Sequence, residues 1–215
     1  MNPPFALARS REKEHQFVAH ALSLMADGGL LFALVPLDTM FGAREEKVWR
    51  QDELLRHHTL LSVITMPDEL FYPAAQKQVA GIIIRKGTPH PADQPVFWGR
   101  IEKDGHLKVK SRRLPASELR PPRSELDQLP AVLPALQAFI ANPRAANVNV
   151  PRLYKTAPID YDDPLMELLP EVYLDAEPPS EKALEKAVAE MVRETAAFLV
   201  RFGKEDRAKG FDDDD

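Results

Sequence analysis

Three short apolar runs constrain most strongly what this 215-residue chain can fold into: residues 30–35, 60–64 and 79–84. Each run is closed by a proline or by a Lys-Gly pair. Such runs are typical of strands buried on both faces, as in a parallel sheet. Helical spacing of apolar residues predicts one helix from Ser10 to the glycines before the first run, and another over residues 44–56. This order predicts a doubly wound α/β sheet.

The remainder of the chain carries weaker structural signals. Residues 96–101 and 106–110 predict a β-hairpin, because Asp104-Gly105 between two extended runs is a strong turn signal. A short helix is predicted over residues 132–140, and residues 142–179 are expected to be irregular. We divide the chain into residues 1–90, a basic hairpin and linker at 91–124, and a helical or irregular region at 125–215.

The last predicted helix, residues 180–202, shows a heptad pattern. Its apolar seam suits packing within its own domain and pairing with a helix of another subunit about equally well. An acidic tail follows, and we expect it to be disordered. The seam positions are Leu184, Val188, Met191, Thr195, Phe198 and Phe202.

Composition sets limits on the possible functions. The chain is 44% hydrophobic and 28% charged, which are values of a globular protein. It has no cysteine, so disulfides and thiolate metal sites are excluded, and its six histidines show no metal-binding pattern. No basic leader precedes an apolar run, and no segment approaches the roughly 20 apolar residues of a membrane span. A soluble protein of the cytoplasm is therefore expected, with no metal and no membrane contact.

The charge is unevenly distributed along the chain. The formal net charge is −5, yet residues 100–123 carry eight lysines and arginines against three acidic residues. A basic patch of this kind can attract phosphate groups, which makes DNA a candidate partner. An ordinary solvated hairpin face is an equally good interpretation. The candidate DNA-binding residues are Lys108, Lys110, Arg112 and Arg113.

The first residues of the chain carry the clearest chemical signal. In Asn2-Pro3-Pro4-Phe5, the Asn2 side-chain oxygen and the next carbonyl can accept both hydrogens of an exocyclic amine. The prolines hold these acceptors rigid, and an aromatic ring can stack on a base that has left the duplex. The motif would follow a strand, at the edge where α/β sheets bind ligands. An extended N-terminal segment without function is the alternative.

Together, these residues make the chain similar to the N6-adenine DNA methyltransferases of the type I modification-subunit kind. The similarity begins at the Asn-Pro-Pro-Phe motif and is strong over about residues 1–110 and loose beyond them. The main matching segments are residues 2–5, 27–30, 34–36, 66–71 and 79–86, with looser matches at 104–105 and 169–174.

The resemblance implies a fold and a set of roles. The fold would be the C-terminal half of a Rossmann-like, S-adenosylmethionine-dependent methyltransferase sheet, followed by a β-hairpin and a mainly helical tail. Asn2 and the Pro3 carbonyl would bind the amine of the target adenine, Pro4 would fix the loop, and Phe5 would stack on the flipped base. The resemblance also suggests Phe71 and Tyr72 as weaker candidates for substrate binding, and for Phe71 a simple role in the core is the favoured alternative.

One departure from this family pattern is large. Members of the family hold S-adenosylmethionine with a glycine-bearing loop upstream of the motif, and none of the nine glycines forms such a loop here. The cofactor site would then be largely absent, and a partner chain would have to supply it. A specificity subunit could bind helix 180–202. A non-catalytic remnant that binds DNA or protein, or a module that binds only protein, are the alternatives.

Overall fold

The computed structural model describes residues 1–4, 13–75, 77–119, 121–145 and 147–175, together with residues 185, 188–193 and 195. Residues 1–176 form one compact unit and residues 177–215 a second one. Phe5, much of the predicted helix 180–202 and the acidic tail lie outside the described residues. In the second unit the described residues are helical, and the seam positions Val188 and Met191 are exposed.

The first unit is a mixed α/β structure, as predicted. The described helices include none that is both long and apolar enough to cross a membrane. The strands are β1 (Leu30–Pro36), β2 (Thr59–Thr65), β3 (Val79–Arg85), β4 (Pro95–Arg100), β5 (His106–Val109), β6 (Arg112–Pro115), β7 (Asn149–Val150) and β8 (Tyr154–Pro158). The helices are α1 (Glu14–Leu24), α2 (Glu45–Val48) with its π-helical continuation Trp49–Leu55, α3 (Leu129–Ala141) and α4 (Pro170–Tyr173), with 3-10 turns at Leu37–Met40, Ala116–Glu118 and Ser124–Leu126.

Six strands form one sheet in the order β1-β3-β2-β4-β8-β7. The three predicted strands are confirmed, but β3 runs antiparallel to both β1 and β2. A parallel connection needs a crossover, usually a helix, and the described residues between β2 and β3 contain none. Since β4 is parallel to β2, strands β1, β2 and β4 all end at the same edge of the sheet. We call this the carboxyl edge.

The two faces of the sheet are covered unequally. On one face, α1 and the π-helix bury Val18, Trp49 and Leu54 against β1, β2 and β3. On the other face, α3 packs its Val132, Leu136 and Phe139 on β2 and β4. Neither Leu30 nor Phe32 of β1 is covered on that face, and both side chains are 49% exposed. The expectation that run 30–35 is buried on both faces was therefore wrong, because α3 packs on β2 and β4 and does not extend over β1.

The predicted hairpin was wrong in its pairing. Strand β4 lies inside the main sheet between β2 and β8, with Phe97 and Trp98 fully buried. The hairpin is formed by β5 and β6 instead, and it turns at Lys110, whose φ is 55°. Local turn chemistry at Asp104-Gly105 suggested a partner upstream, but burial of the β4 side chains favours the sheet interior.

The described residues between 142 and 175 are more ordered than expected. Strand β8 pairs with β4, and the Trp98 ring stacks on Tyr173 with ring centres 3.8 Å apart. The Trp98 indole N–H also donates to the Ala157 carbonyl at 3.0 Å. The main sheet therefore extends across positions 90 and 124, where the sequence suggested divisions.

His90 gives this fold a pH-dependent stability. The residue lies between β3 and β4 and is 7% exposed, and its burial lowers the pKa from 6.5 to about 4, against a smaller opposite effect of Asp93. At pH 5 the unfolded chain therefore binds a proton at His90 that the folded chain does not bind. We expect this to reduce the free energy of unfolding by about 2 kcal/mol between pH 7 and pH 5.

Urea unfolding of the wild type and of His90→Leu at pH 7 and pH 5 measures how much His90 contributes to the loss of unfolding free energy. The loss between pH 7 and pH 5 should be smaller in the variant by about that amount. Equal losses in the two proteins would contradict the assignment to His90.

Candidate active site

The Asn-Pro-Pro motif follows directly on a short parallel ladder at the free edge of β1. The Met1 amino group donates to the Phe32 carbonyl, and the Leu34 N–H donates to the Met1 carbonyl at 3.0 Å. This pair of bonds is the pattern of a parallel ladder in which Met1 faces Ala33. Pro3 is buried, whereas Asn2 is exposed. The described part of the motif therefore lies at a strand end on the carboxyl edge, with the Asn2 side chain accessible.

Arg50 fixes the backbone that follows β1 at this edge. Its guanidinium is fully buried and donates to the carbonyls of Thr39, Gly42, Leu165 and Met166 at 2.9–3.1 Å. Burial lowers the pKa of Arg50 to about 10, so the side chain remains charged at neutral pH. This role has no local signal in the sequence, since a buried arginine in a helix has the same local pattern as an exposed one.

Lys77 links three elements near the motif. Its ammonium lies 3.4 Å from the Asp38 carboxylate, in the turn after β1, and 3.9 Å from that of Glu14 in α1. Leu37 donates to the Gln78 carbonyl at 3.0 Å in the same region. The segment leading into β3 is thereby attached to the segment that leaves β1.

The second segment at the carboxyl edge follows β2 and contains Phe71 and Tyr72, both partly buried. The Tyr72 hydroxyl donates to the Lys110 carbonyl at 2.7 Å, and the Lys108 ammonium lies 4.2 Å from the centre of the Tyr72 ring. Lys108 also lies 3.3 Å from the Glu69 carboxylate. The structure therefore brings the predicted substrate-binding residues next to the predicted DNA-binding residues.

The four candidate DNA-binding residues differ in their availability. Arg113 points inward: its side chain is 14% exposed, forms an ion pair with Asp104, and donates to the Leu70 carbonyl at 3.1 Å. Lys108 has the partners given above. Lys110 and Arg112 are exposed at the hairpin turn, and neither forms an ion pair with any residue that the structure describes. The turn between β5 and β6 therefore carries the accessible positive charge.

A cavity of about 360 Å³ opens between these segments at the ends of β2 and β4. Several of the charges that line it are paired, since Arg100 lies 3.2 Å from Glu102 and Arg113 forms the ion pair with Asp104. The Gln78 amide also donates to the Asp68 carboxylate at 2.7 Å. The cavity is distant from the motif, because the Met1 ladder lies on the outer side of β1 and both β1 and β3 stand between it and β2. Three strand spacings amount to roughly 14 Å. Its lining residues are Thr65, Met66, Pro67, Asp68, Glu69, Gln78, Arg100, Ile101, Glu102, Asp104, His106 and Arg113.

The residues of this chain do not fit a complete S-adenosylmethionine site. Gly87 follows β3, whose carboxyl end lies at the opposite edge of the sheet, and Gly28 and Gly29 precede β1. The carboxyl edge that carries Asn2 has no glycine-rich loop after a strand in the sequence. Such a loop is how α/β sheets bring backbone N–H groups close to a cofactor. What the described part of this edge provides is an exposed Asn2 side chain beside a buried Pro3.

The sequence profile of the N-6 DNA Methylase family matches residues 2–123. The chain belongs to this family. The match begins at Asn2 and includes β1 to β6 and the carboxyl edge described above. Family membership confirms the resemblance stated from the motifs.

A curated relative supports the same assignment. The type II restriction enzyme and methyltransferase RM.BcgI of Heyndrickxia coagulans is 32% identical over 114 residues, which is 51% of this chain and 18% of that protein. The present chain therefore spans less than a fifth of the length of RM.BcgI.

Solved structures share the fold at low identity. A chain in a structure of a type I R-M system matches over 97% of this chain and 44% of the matched chain, with a TM-score of 0.58 and 17% identity. The EcoKI M protein of a type I restriction enzyme matches over 93% of this chain and 48% of the M protein, with a TM-score of 0.55 and 16% identity. The type I methyltransferase subunit from Streptococcus thermophilus matches over 72% of this chain and 29% of the subunit, with a TM-score of 0.52 and 15% identity. These matches confirm the methyltransferase-like α/β fold.

The inward and outward arginines of β6 should differ sharply in their effect on stability. Arg113→Ala leaves the Asp104 carboxylate, whose side chain is 9% exposed, without its cation. We expect a loss of about 3 kcal/mol in the free energy of unfolding. Arg112→Ala removes an exposed side chain and should change it by less than about 0.5 kcal/mol. Denaturant unfolding measures both variants, and equal losses would contradict the inward placement of Arg113.

Proposed function

We propose that this chain is the amine-binding part of a DNA adenine-N6 methyltransferase of the restriction-modification type, and that a segment outside these 215 residues completes it. The observation that carries the proposal is the position of Asn2 and Pro3 at the end of a parallel ladder, with the Asn2 side chain exposed. Family membership supports the chemistry, and the resemblance supports adenine as the target base.

The chain's own residues act by positioning the amine. The lone pair of an adenine amino group is delocalised into the ring, so the group is a poor nucleophile. The Asn2 side-chain oxygen and the Pro3 carbonyl accept its two hydrogens and direct the lone pair out of the ring plane. Pro3 and Pro4 keep these acceptors in place through their fixed φ angles. Phe5 stacks on the flipped base. The methyl group would come from S-adenosylmethionine held by the completing segment.

The free edge of β1 is where the completing segment would bind. Beyond the Met1 ladder, the edge of β1 has no partner strand among the described residues. Leu30 and Phe32 beside this edge are half exposed, and open apolar edges are normally covered. Addition of a strand here would continue the Met1 ladder and bring a cofactor-binding loop to the carboxyl edge. We also propose that a specificity subunit binds helix 180–202, where Val188 and Met191 are exposed.

DNA would be held by the exposed cations of the hairpin turn. Lys110 and Arg112 are accessible, whereas Lys108 and Arg113 are engaged with Glu69 and Asp104. We therefore narrow the DNA-contacting residues to Lys110 and Arg112. These two cations do not depend on the cofactor site, so a non-catalytic DNA-binding role is the second candidate function.

Replacement of Asn2 tests the catalytic proposal. The chain is combined with the polypeptide encoded directly upstream, and transfer of labelled methyl groups to DNA is measured. Asn2→Ala should reduce kcat at least about 100-fold, because it removes one of two acceptors aimed at the reacting amine. Asn147→Ala, a change at an exposed asparagine next to β7, is the matched control. Methylation that is equally fast in Asn2→Ala would overturn the assigned role.

Salt dependence tests the DNA contact. Lys110→Asn and Arg112→Ala should each lower the slope of log K against log salt by about 1, as expected for the loss of one phosphate contact. Asparagine at position 110 suits the positive φ of that residue. Arg144→Ala, which removes an exposed arginine paired with Asp93, should leave the slope unchanged. A slope that does not change in either hairpin variant would exclude this turn as the DNA contact.

A further inference from the structure

The segment after β2 has little regular structure of its own and is held by the hairpin. Strand β2 ends at Thr65 and β3 begins at Val79, and the described residues between them contain no helix or strand. Glu69, Leu70 and Tyr72 each contact the β5–β6 hairpin. We call residues 66–75 the β2 loop.

One attachment is made by the inward arginine of β6. The Arg113 guanidinium donates to the Leu70 carbonyl at 3.1 Å and is itself held by Asp104. Both side chains of this ion pair are mostly buried, 14% and 9% exposed. The pair therefore presents a fixed donor to the backbone of the β2 loop.

A second attachment is made at the hairpin turn. The Tyr72 hydroxyl donates to the Lys110 backbone carbonyl at 2.7 Å. Lys108 lies over the Tyr72 ring at 4.2 Å from its centre and 3.3 Å from Glu69. Leu70 and Tyr72 are thus both attached to the hairpin, and Phe71 lies between them. Its backbone position follows from these two neighbours.

We propose that the β5–β6 hairpin is a brace that fixes the β2 loop, and that Arg113 and Tyr72 are positioning residues for Phe71. The exposed cations Lys110 and Arg112 lie at the turn that joins these two strands. Contact of the turn with a DNA phosphate therefore sets the placement of the β2 loop relative to the duplex. That role toward the target base rests on the proposed function, whereas the brace itself does not.

Hydrogen exchange on the full chain tests the brace without any activity. Tyr72→Phe removes only the hydroxyl and should speed amide exchange over residues 68–75 by about 2- to 10-fold, the effect of one lost hydrogen bond. Exchange in β2 and β3 should stay unchanged. Arg113→Lys, which cannot reproduce the forked contacts to Leu70 and Asp104, should give the same local result.

Two variants serve as matched controls. Lys110→Asn removes the charge of the turn but keeps the backbone carbonyl that accepts from Tyr72, so exchange in the β2 loop should not change. Tyr161→Phe alters a 45% exposed tyrosine outside the loop and the hairpin. Unchanged β2-loop exchange in both Tyr72→Phe and Arg113→Lys would overturn the brace.

Kinetics of the completed methyltransferase test the positioning role. Tyr72→Phe should lower kcat with little change in KM for DNA, whereas Lys110→Asn should raise that KM. A loosened loop with unchanged kcat in Tyr72→Phe would overturn the positioning role. Absence of methylation by the wild type would instead contradict the proposed function, and the exchange result would still decide the brace.

Discussion

The insertion of β3 between β1 and β2 determines most of what surrounds the site. Because β3 runs antiparallel to both neighbours, β1 and β2 become parallel and end at the same edge. The insertion needs close contact: a Cβ at Gly81 of β3 would come within 3.1 Å of the Phe32 ring. β3 occupies only one side of β1, so the other side is left for the residue before the Asn-Pro-Pro motif.

Two kinds of support stabilise the carboxyl edge. Beside β1, the buried Arg50 holds four carbonyls from segments more than one hundred residues apart in the chain, such as Gly42 and Leu165. Beside β2, the β5–β6 hairpin holds a loop that has no regular structure. In both places a cation satisfies backbone carbonyls that would otherwise be costly to bury. Much of the positive charge seen in the sequence is therefore used within the protein.

Local patterns predicted β1, β2, β3, α3 and the family, because apolar runs and motif spacing are short-range signals. Strand β8 was missed because its residues, Tyr-Lys-Thr-Ala-Pro, carry no apolar run, and its place in the sheet depends on the long-range pairing with β4. The hairpin was misplaced because Asp104-Gly105 specifies a turn without specifying which strands it joins. The roles of Asn2, Phe71 and the hairpin cations stay predictions, but the contacts of Arg113 could not be read from sequence.

Titration calorimetry with S-adenosylmethionine tests the central claim, that the chain provides the amine acceptors and an open β1 edge while another segment provides the cofactor site. The chain alone should give no saturable binding, and its mixture with the polypeptide encoded directly upstream should bind one cofactor per complex. Saturable binding by the chain alone would contradict the division of the site. No binding in the mixture would contradict completion by that polypeptide.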